Sequence, residues 1–320
     1  MLRGRFAPTP SGLMHIGNAR TALLAWLQIR QASGQFVLRM EDIDKPRSKP
    51  HFAHQALEDL RWLGIDWDEG PDVGGPHAPY VQSLREPLYA EALERLEQRG
   101  QLYPCFCSRA ELLAVASAPH GLSAEGPAYA GTCRYLNETE RAARRLGKLP
   151  SIRFAIGEQA ISFQDGIAGQ QDFPPGAGGD FVVRRADELF SYQLAVVVDD
   201  IAMGITDVLR GYDLLDSTPR QLALYDALGA SPPRFAHVPL LLGTDGNRLA
   251  KRDGSLSLAA IRERGIQPER VIGLLAAMSG LIARAEPIQA AELIANFNID
   301  RIPHEPAIVD QSALQWLYNS

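Results

Sequence analysis

The order of apolar runs and turns in this chain predicts an α/β fold built on a doubly wound parallel sheet. Three observations carry that expectation. The first forty residues read strand, loop, helix, strand. Strand-like apolar runs return late, at 189–198, 206–210 and 237–242, and a long section of different character separates the two sets. Two parallel strands joined by one helix need a right-handed crossover, which makes the opening a βαβ unit. The chain has 320 residues, 46% of them hydrophobic. That suffices for about two domains of roughly 100–200 residues each and excludes disorder, collagen and coiled coil.

Gly4 to Pro8 is a short strand that cannot continue through Pro8-Thr9-Pro10-Ser11-Gly12. From Gly17 a helix runs to Ala32, with Ala22, Leu23, Trp26 and Leu27 at three- and four-residue spacing and Gly34 as its C-terminal cap. Gln35 to Glu41 is the second strand. Helical patterns recur at 48–64 and 84–99, with a Gly/Pro-rich loop from Asp66 to Tyr80 between them. From Tyr103 to about Arg185, cysteines, a Gly/Pro/Ala-rich stretch at 116–131, a basic helix near 138–147 and a short strand at 151–156 mark an insertion. After the late strands, Asp216-Ser217-Thr218-Pro219 starts a helix over 216–229 with capping residues and an early Pro. A polar loop covers 243–254, and 255–320 reads as mostly helical. The partition is therefore 1–102, the first half of a catalytic domain; 103–185, an insertion; 186–254, the second half; and 255–320, a helical region.

Thirty-two basic against thirty-eight acidic residues give a net charge of −6, so no overall cationic field announces a nucleic-acid partner, although a local patch needs few cations. No apolar run reaches the ~20 residues of a membrane helix, and Met1-Leu2-Arg3-Gly4-Arg5-Phe6 lacks the apolar stretch expected of a signal peptide. A cytoplasmic monomer without membrane association is the expectation. Cys105, Cys107 and Cys133, an odd number without an export signal, argue against a disulfide framework.

The most informative stretch is Arg5-Phe6-Ala7-Pro8-Thr9-Pro10-Ser11-Gly12-Leu13-Met14-His15-Ile16-Gly17-Asn18. It sets His15 and Asn18 at the mouth of the first helix, directly after the first strand, where ligands of open parallel sheets bind. A helix N-terminus offers unpaired N–H groups to phosphates. Gly17 lets a flat ring approach the backbone, and His15 can donate to a phosphate oxygen as charge builds on it. Gly246 to Gly254 is a glycine-bounded basic loop, and its Lys251 suits a pyrophosphate leaving group. Together, His15-Ile16-Gly17-Asn18 and Arg248-Leu249-Ala250-Lys251-Arg252 resemble the paired motifs of class I aminoacyl-tRNA synthetases. Arg248 stands where that family has Lys, and Arg252 replaces a final Ser.

Three further blocks, Arg5 to Gly12, Leu38 to Asp44 and Leu209 to Leu215, resemble the glutamate-specific branch. The resemblance runs from about residue 4 to about 260 and implies a Rossmann-type catalytic sheet that takes L-glutamate and ATP with Mg²⁺. It implies ATP contacts at Thr9, His15, Gly17, Asn18, Arg248, Leu249 and Lys251, of which His15, Asn18 and Lys251 are catalytic. Glutamate binding falls on Arg5, Phe6, Ala7, Pro8, Thr9, Glu41, Tyr192 and Arg210. The chemistry agrees, because a guanidinium fork pairs carboxylates, Glu41 can hold an ammonium, and Tyr192 can add a phenolic hydrogen bond. Small nucleotidyltransferases share the His-x-Gly motif, but they have no need of such an amino-acid pocket.

Cys105-Phe106-Cys107 puts two thiols on one side of an extended segment. With Cys133 they read as a structural Zn²⁺ site. The resemblance points to Tyr129 as fourth ligand, and His120 in the same loop is the ordinary chemical alternative. The cysteine block with Tyr129, and an end at Ser320 where an anticodon-binding domain is expected, resemble the shortened paralogue family, the glutamyl-queuosine tRNA(Asp) synthetases. That implies glutamate activation without tRNA, then transfer to queuosine at the wobble position of tRNA(Asp). The insertion becomes a zinc-bearing, acceptor-binding-like subdomain, and 255–320 a stem-contact region. A truncated glutamyl-tRNA synthetase charging tRNA(Glu) is the alternative. Arg141, Arg144 and Arg145, one helix turn apart, could meet phosphate or simply face solvent.

Overall fold

The structure, a computed structural model, describes residues 1–108, 110–112, 129, 131–247 and 256–318. In chain order, β1 (Arg3–Phe6), α1 (Ile16–Gln31), β2 (Gln35–Leu38), α2 (Pro50–Trp62) and α3 (Glu86–Gln98) come first. The middle section holds β3 (Leu102–Cys105), α4 (Glu138–Arg145), β4 (Ser151–Phe154), β5 (Ile161–Asp165), β6 (Gly169–Phe173) and β7 (Phe181–Arg184). Then follow α5 (Tyr192–Ala202), β8 (Asp207–Gly211), α6 (Thr218–Leu228), β9 (Arg234–Val238) and β10 (Leu241–Leu242). The last elements are α7 (Leu258–Glu263), α8 (Pro268–Met278), β11 (Ala307–Ile308) and α9 (Gln311–Tyr318).

The central sheet is parallel with strand order β2-β1-β8-β9. The chain leaves β1 to one side for β2 and later returns on the other side for β8. The carboxyl ends of β1 and β8 therefore flank the switch point at which open α/β sheets bind ligands. α1 forms where it does because its first turn is closed by its own side chains. The His15 N–H donates to Asn18 Oδ1 at 3.4 Å, and the Gly17 N–H donates to His15 Nδ1 at 3.1 Å. The helix is apolar almost all round, burying Ile16, Leu23, Leu24, Trp26, Leu27 and Ile29, because it lies between the sheet and α8. The middle section forms its own antiparallel sheet, β3-β4-β7, and a β5–β6 hairpin. Among the described residues no helix is long and apolar enough to cross a membrane.

Four local expectations are corrected. The run at 189–198 is not a strand: Ser191 caps α5, its Oγ accepting from the Leu194 N–H. A continuous apolar run is buried on every side, so its periodicity does not separate strand from helix. The chain turns out of α1 at Ser33, with φ 51°, rather than at Gly34. The helix expected over 216–229 begins at Thr218 after a 3₁₀ segment, Tyr212–Ser217, and has no side-chain cap. The strand expected over 237–242 breaks after Val238. Its continuation, β10, pairs in parallel with β11 and ties the C-terminal region to the segment that follows β9.

Gly273 decides how closely α8 packs. A Cβ there would overlap the backbone carbonyl oxygen of Glu286. Gly273→Ala gains about 1 kcal/mol of helix propensity, but backbone has to move and overpacking costs about 1–3 kcal/mol. We expect net destabilisation, read as a lower urea midpoint. An unchanged or raised midpoint would mean that the packing is loose.

Candidate active site

A cavity of about 780 Å³ opens at the switch point. It is lined by Arg5, Phe6, Ala7, Pro8, Thr9, His15, Gly17, Asn18, Glu41, Tyr192 and Arg210, so every described residue named for ATP or glutamate from the sequence faces one space. Arg248, Leu249 and Lys251 lie outside the described residues, as does His120. On the far side of that loop, Ser257 pairs with His15 and the Leu258 N–H donates to Met14 O at 2.8 Å, so the chain returns to the helix mouth.

At that mouth the geometry selects one imidazole tautomer. His15 Nδ1 accepts from Gly17, so the proton sits on Nε2 and the ring is neutral. A Cβ at Gly17 would stand 2.9 Å from His15 Cε1. The glycine thus makes room for the motif's own histidine as well as for any ligand.

The other end of the cavity is strongly charged, and the partners differ from the simple expectation. Arg5 does not present its fork to the cavity: Nε and Nη2 donate to Asp200 at 3.3 and 3.1 Å. Arg39 donates to Asp200 at 2.7 Å and to Glu41 at 2.9 Å. All four side chains are buried. Glu41 lies beyond the end of β2, and Tyr192 opens α5. Arg210 is arranged differently. Its Nε donates to His237 Nε2 at 2.9 Å, Nη1 to Gln221 Oε1 at 2.7 Å, and Nη2 to Thr218 Oγ1 at 2.9 Å and Leu214 O at 3.3 Å. No carboxylate of the described residues pairs with it. Burial, aided by the like charge of Arg5 and opposed by Asp200, holds the Arg210 guanidinium below its ordinary pKa, as expected of a buried cation whose direct hydrogen-bond partners are neutral. A guanidinium has five N–H donors. One on Nη1, together with the uncompensated charge, remains for an anionic ligand.

Sequence reading missed Arg39, Asp200, His237 and Asp165. The signal for Arg39 was present, since residues 39 and 41 in an extended segment share a side. His237, the buried polar residue of strand β9, was the other available clue.

The three cysteine sulfurs lie within 4.8 Å of one another, with Cys107 and Cys133 at 3.6 Å. The Tyr129 hydroxyl sits 3.5 Å from Cys105 Sγ and 3.6 Å from Cys107 Sγ, and accepts from the Cys133 N–H at 2.8 Å. Convergence of three soft ligands makes this cluster able to hold a metal ion.

A parallel sheet with a phosphate-suited helix mouth and a charged amino-acid-sized pocket at its switch point is the layout of a class I synthetase. The family model "tRNA synthetases class I (E and Q), catalytic domain" matches residues 1–316. The chain is 66% identical over 307 residues to the glutamyl-Q tRNA(Asp) synthetase of Symbiobacterium thermophilum, covering 96% of this chain and 95% of that one. It is 48% identical over 319 residues to the glutamyl-Q tRNA(Asp) synthetase of Nitratidesulfovibrio vulgaris, with 99% and 98% covered. A solved glutamate tRNA ligase from Elizabethkingia meningosepticum, in complex with its amino acid, superposes with a TM-score of 0.85 at 30% identity, covering 99% of this chain and 68% of that one. The chain belongs to the class I tRNA synthetases for glutamate and glutamine and, within them, to the glutamyl-Q tRNA(Asp) synthetase family. It is an aminoacyl-tRNA synthetase-like ligase.

Proposed function

We propose that this chain activates L-glutamate with ATP in the absence of tRNA and transfers it to queuosine at the wobble position of tRNA(Asp). The carrying observation is the single cavity that joins the His15–Asn18 helix mouth to the Arg5/Glu41/Tyr192/Arg210 pocket. The near full-length relatives supply the choice of acceptor. A glutamate carboxylate oxygen attacks the α-phosphorus of Mg²⁺-bound ATP, and pyrophosphate leaves. A queuosine hydroxyl then attacks the adenylate carbonyl, and AMP leaves. His15 donates a hydrogen bond from Nε2–H to a phosphate oxygen while Asn18 Oδ1 holds the His15 backbone N–H, and Lys251 meets the leaving pyrophosphate. Arg210 takes a substrate carboxylate, Tyr192 and Arg5 border it, and Glu41 faces the ammonium.

The test is glutamate-dependent ATP–pyrophosphate exchange without RNA, followed by transfer of labelled glutamate. Label is expected on queuosine-containing tRNA(Asp) and on neither queuosine-free tRNA(Asp) nor tRNA(Glu). Exchange that strictly requires tRNA(Glu) would instead identify a conventional glutamyl-tRNA synthetase.

The cysteine cluster we assign to structural Zn²⁺ with Tyr129 as fourth ligand. Sulfurs bound tetrahedrally at about 2.3 Å stand about 3.8 Å apart, close to the 3.6 Å between Cys107 and Cys133. Bound zinc would pin β3 to the segment carrying Cys133. Dialysed protein is expected to retain about one zinc per chain and Cys133→Ser less than about a tenth of that. Wild-type protein that retains no metal would remove the assignment.

A further inference from the structure

We propose that Asp165 and His237 are positioning residues that set the orientation of Arg210 for glutamate capture. This rests on the reading that the cavity binds glutamate. Arg210 Nε can only donate, so His237 Nε2, at 2.9 Å, must accept. The imidazole proton is thereby placed on Nδ1, which faces Asp165 Oδ2 at 2.5 Å. His237 is fully buried and Asp165 nearly so. Asp165 ends β5, the first strand of the hairpin in the middle section, and its place against the catalytic sheet is held by the Gly166 N–H, which donates to Phe235 O at 2.8 Å. A carboxylate from that hairpin therefore dictates which nitrogen of an imidazole on β9 carries the proton, and so leaves the other to accept from the arginine on β8.

The carboxylate itself is oriented without ambiguity. Oδ1 accepts from the backbone N–H groups of Ile167, Ala168 and His237 at 3.0, 2.9 and 3.0 Å, so only Oδ2 remains for the imidazole. In Asp165→Asn the three N–H donors keep the side-chain oxygen where Oδ1 is. The amide NH₂ then occupies the Oδ2 position and donates to His237 Nδ1. The ring proton moves to Nε2, and two donors face each other at Arg210 Nε. Arg210 loses that anchor and turns away from its ligand position, although volume and fold are unchanged. A wrong-tautomer substitution of this kind acts through proton placement rather than through packing.

The experiment is steady-state ATP–pyrophosphate exchange on the full chain. For Asp165→Asn we expect KM for glutamate to rise at least about tenfold, the size of one lost hydrogen bond to a charged group, while KM for ATP moves less than about twofold. KM does not depend on the fraction of chain that is folded, so a modest stability loss leaves this readout intact. His237→Gln supplies the control, because with its amide oriented to put Oε1 in the place of Nε2 it accepts from Arg210 and has no ring proton that can move. It is expected to stay within about threefold of the wild-type glutamate KM, and adding Asp165→Asn to it is expected to change that KM little, the signature of coupled residues. An unchanged glutamate KM in Asp165→Asn would overturn the proposal. So would an equal rise in the KM for ATP, a full-sized effect in the His237→Gln background, or failure of Asp165→Asn to fold. Absence of glutamate-dependent exchange in the wild type would count against the functional reading itself.

Discussion

Arg210→Ala is expected to lower kcat/KM for glutamate in ATP–pyrophosphate exchange by about 10²–10³-fold, the cost of removing one partner from a buried charge pair. Most of the loss should appear in KM for glutamate, with KM for ATP almost unchanged. The size follows from how the residue is held. Arg5 and Arg39 share Asp200 and Glu41, whereas Arg210 is anchored by an imidazole, an amide, a hydroxyl and a carbonyl. Its charge is offered to a ligand from a buried position, where attraction is weakly screened. Arg210→Lys should recover less than about tenfold, because one ammonium cannot serve His237, Gln221, Thr218 and a substrate carboxylate together. A glutamate KM unchanged in Arg210→Ala would place the substrate carboxylates elsewhere in the cavity.

The largest expected effect on stability is at Asp200. Asp200→Ala leaves the buried guanidiniums of Arg5 and Arg39 short of their shared carboxylate, and is expected to destabilise by about 3–5 kcal/mol, read as a lower urea midpoint at unchanged slope. Burial alone would raise the Asp200 pKa, but Arg5 and Arg39 outweigh it and hold the carboxyl below its usual range. A depressed folded pKa stabilises fully above the unfolded value, about 3.9, and that stabilisation is lost as pH falls through the folded value. Glu41 is shifted the other way: burial raises it against the pull of Arg39 and Arg5. Its ionised form therefore opposes folding above its folded pKa, and acid relieves that cost. Between about pH 4 and the acid limit, wild-type protein should lose stability faster than Asp200→Ala. Equal acid slopes would show that the Asp200 carboxylate is not held by this network.

The βαβ opening and its helix-mouth motif were legible because they are local. Two residues separate His15 from Asn18, and the capping geometry needs nothing from elsewhere in the chain. The cysteine cluster was legible for a related reason, since two of its thiols are set by extended backbone over three residues. The run from Leu189 misled, because three consecutive valines favour a strand while their surroundings bury all faces of a helix equally well. That misreading also hid Asp199 and Asp200, which it left beyond the end of a strand, whereas α5 carries both to Arg39.

Sequence alone determined the parallel-sheet class and the helix mouth, because periodicity and capping are short-range properties, and the residues gathered around the cavity were named by the family resemblance. Only the tertiary structure decided the pairing of charges. Asp200 meets Arg5 and Arg39, and Asp165 meets His237, across separations of 195, 161 and 72 residues. Burial favours those pairings strongly, since a charge taken out of water without a partner is costly. Which partner it finds depends on where the sheet, α5 and the β5–β6 hairpin come to rest.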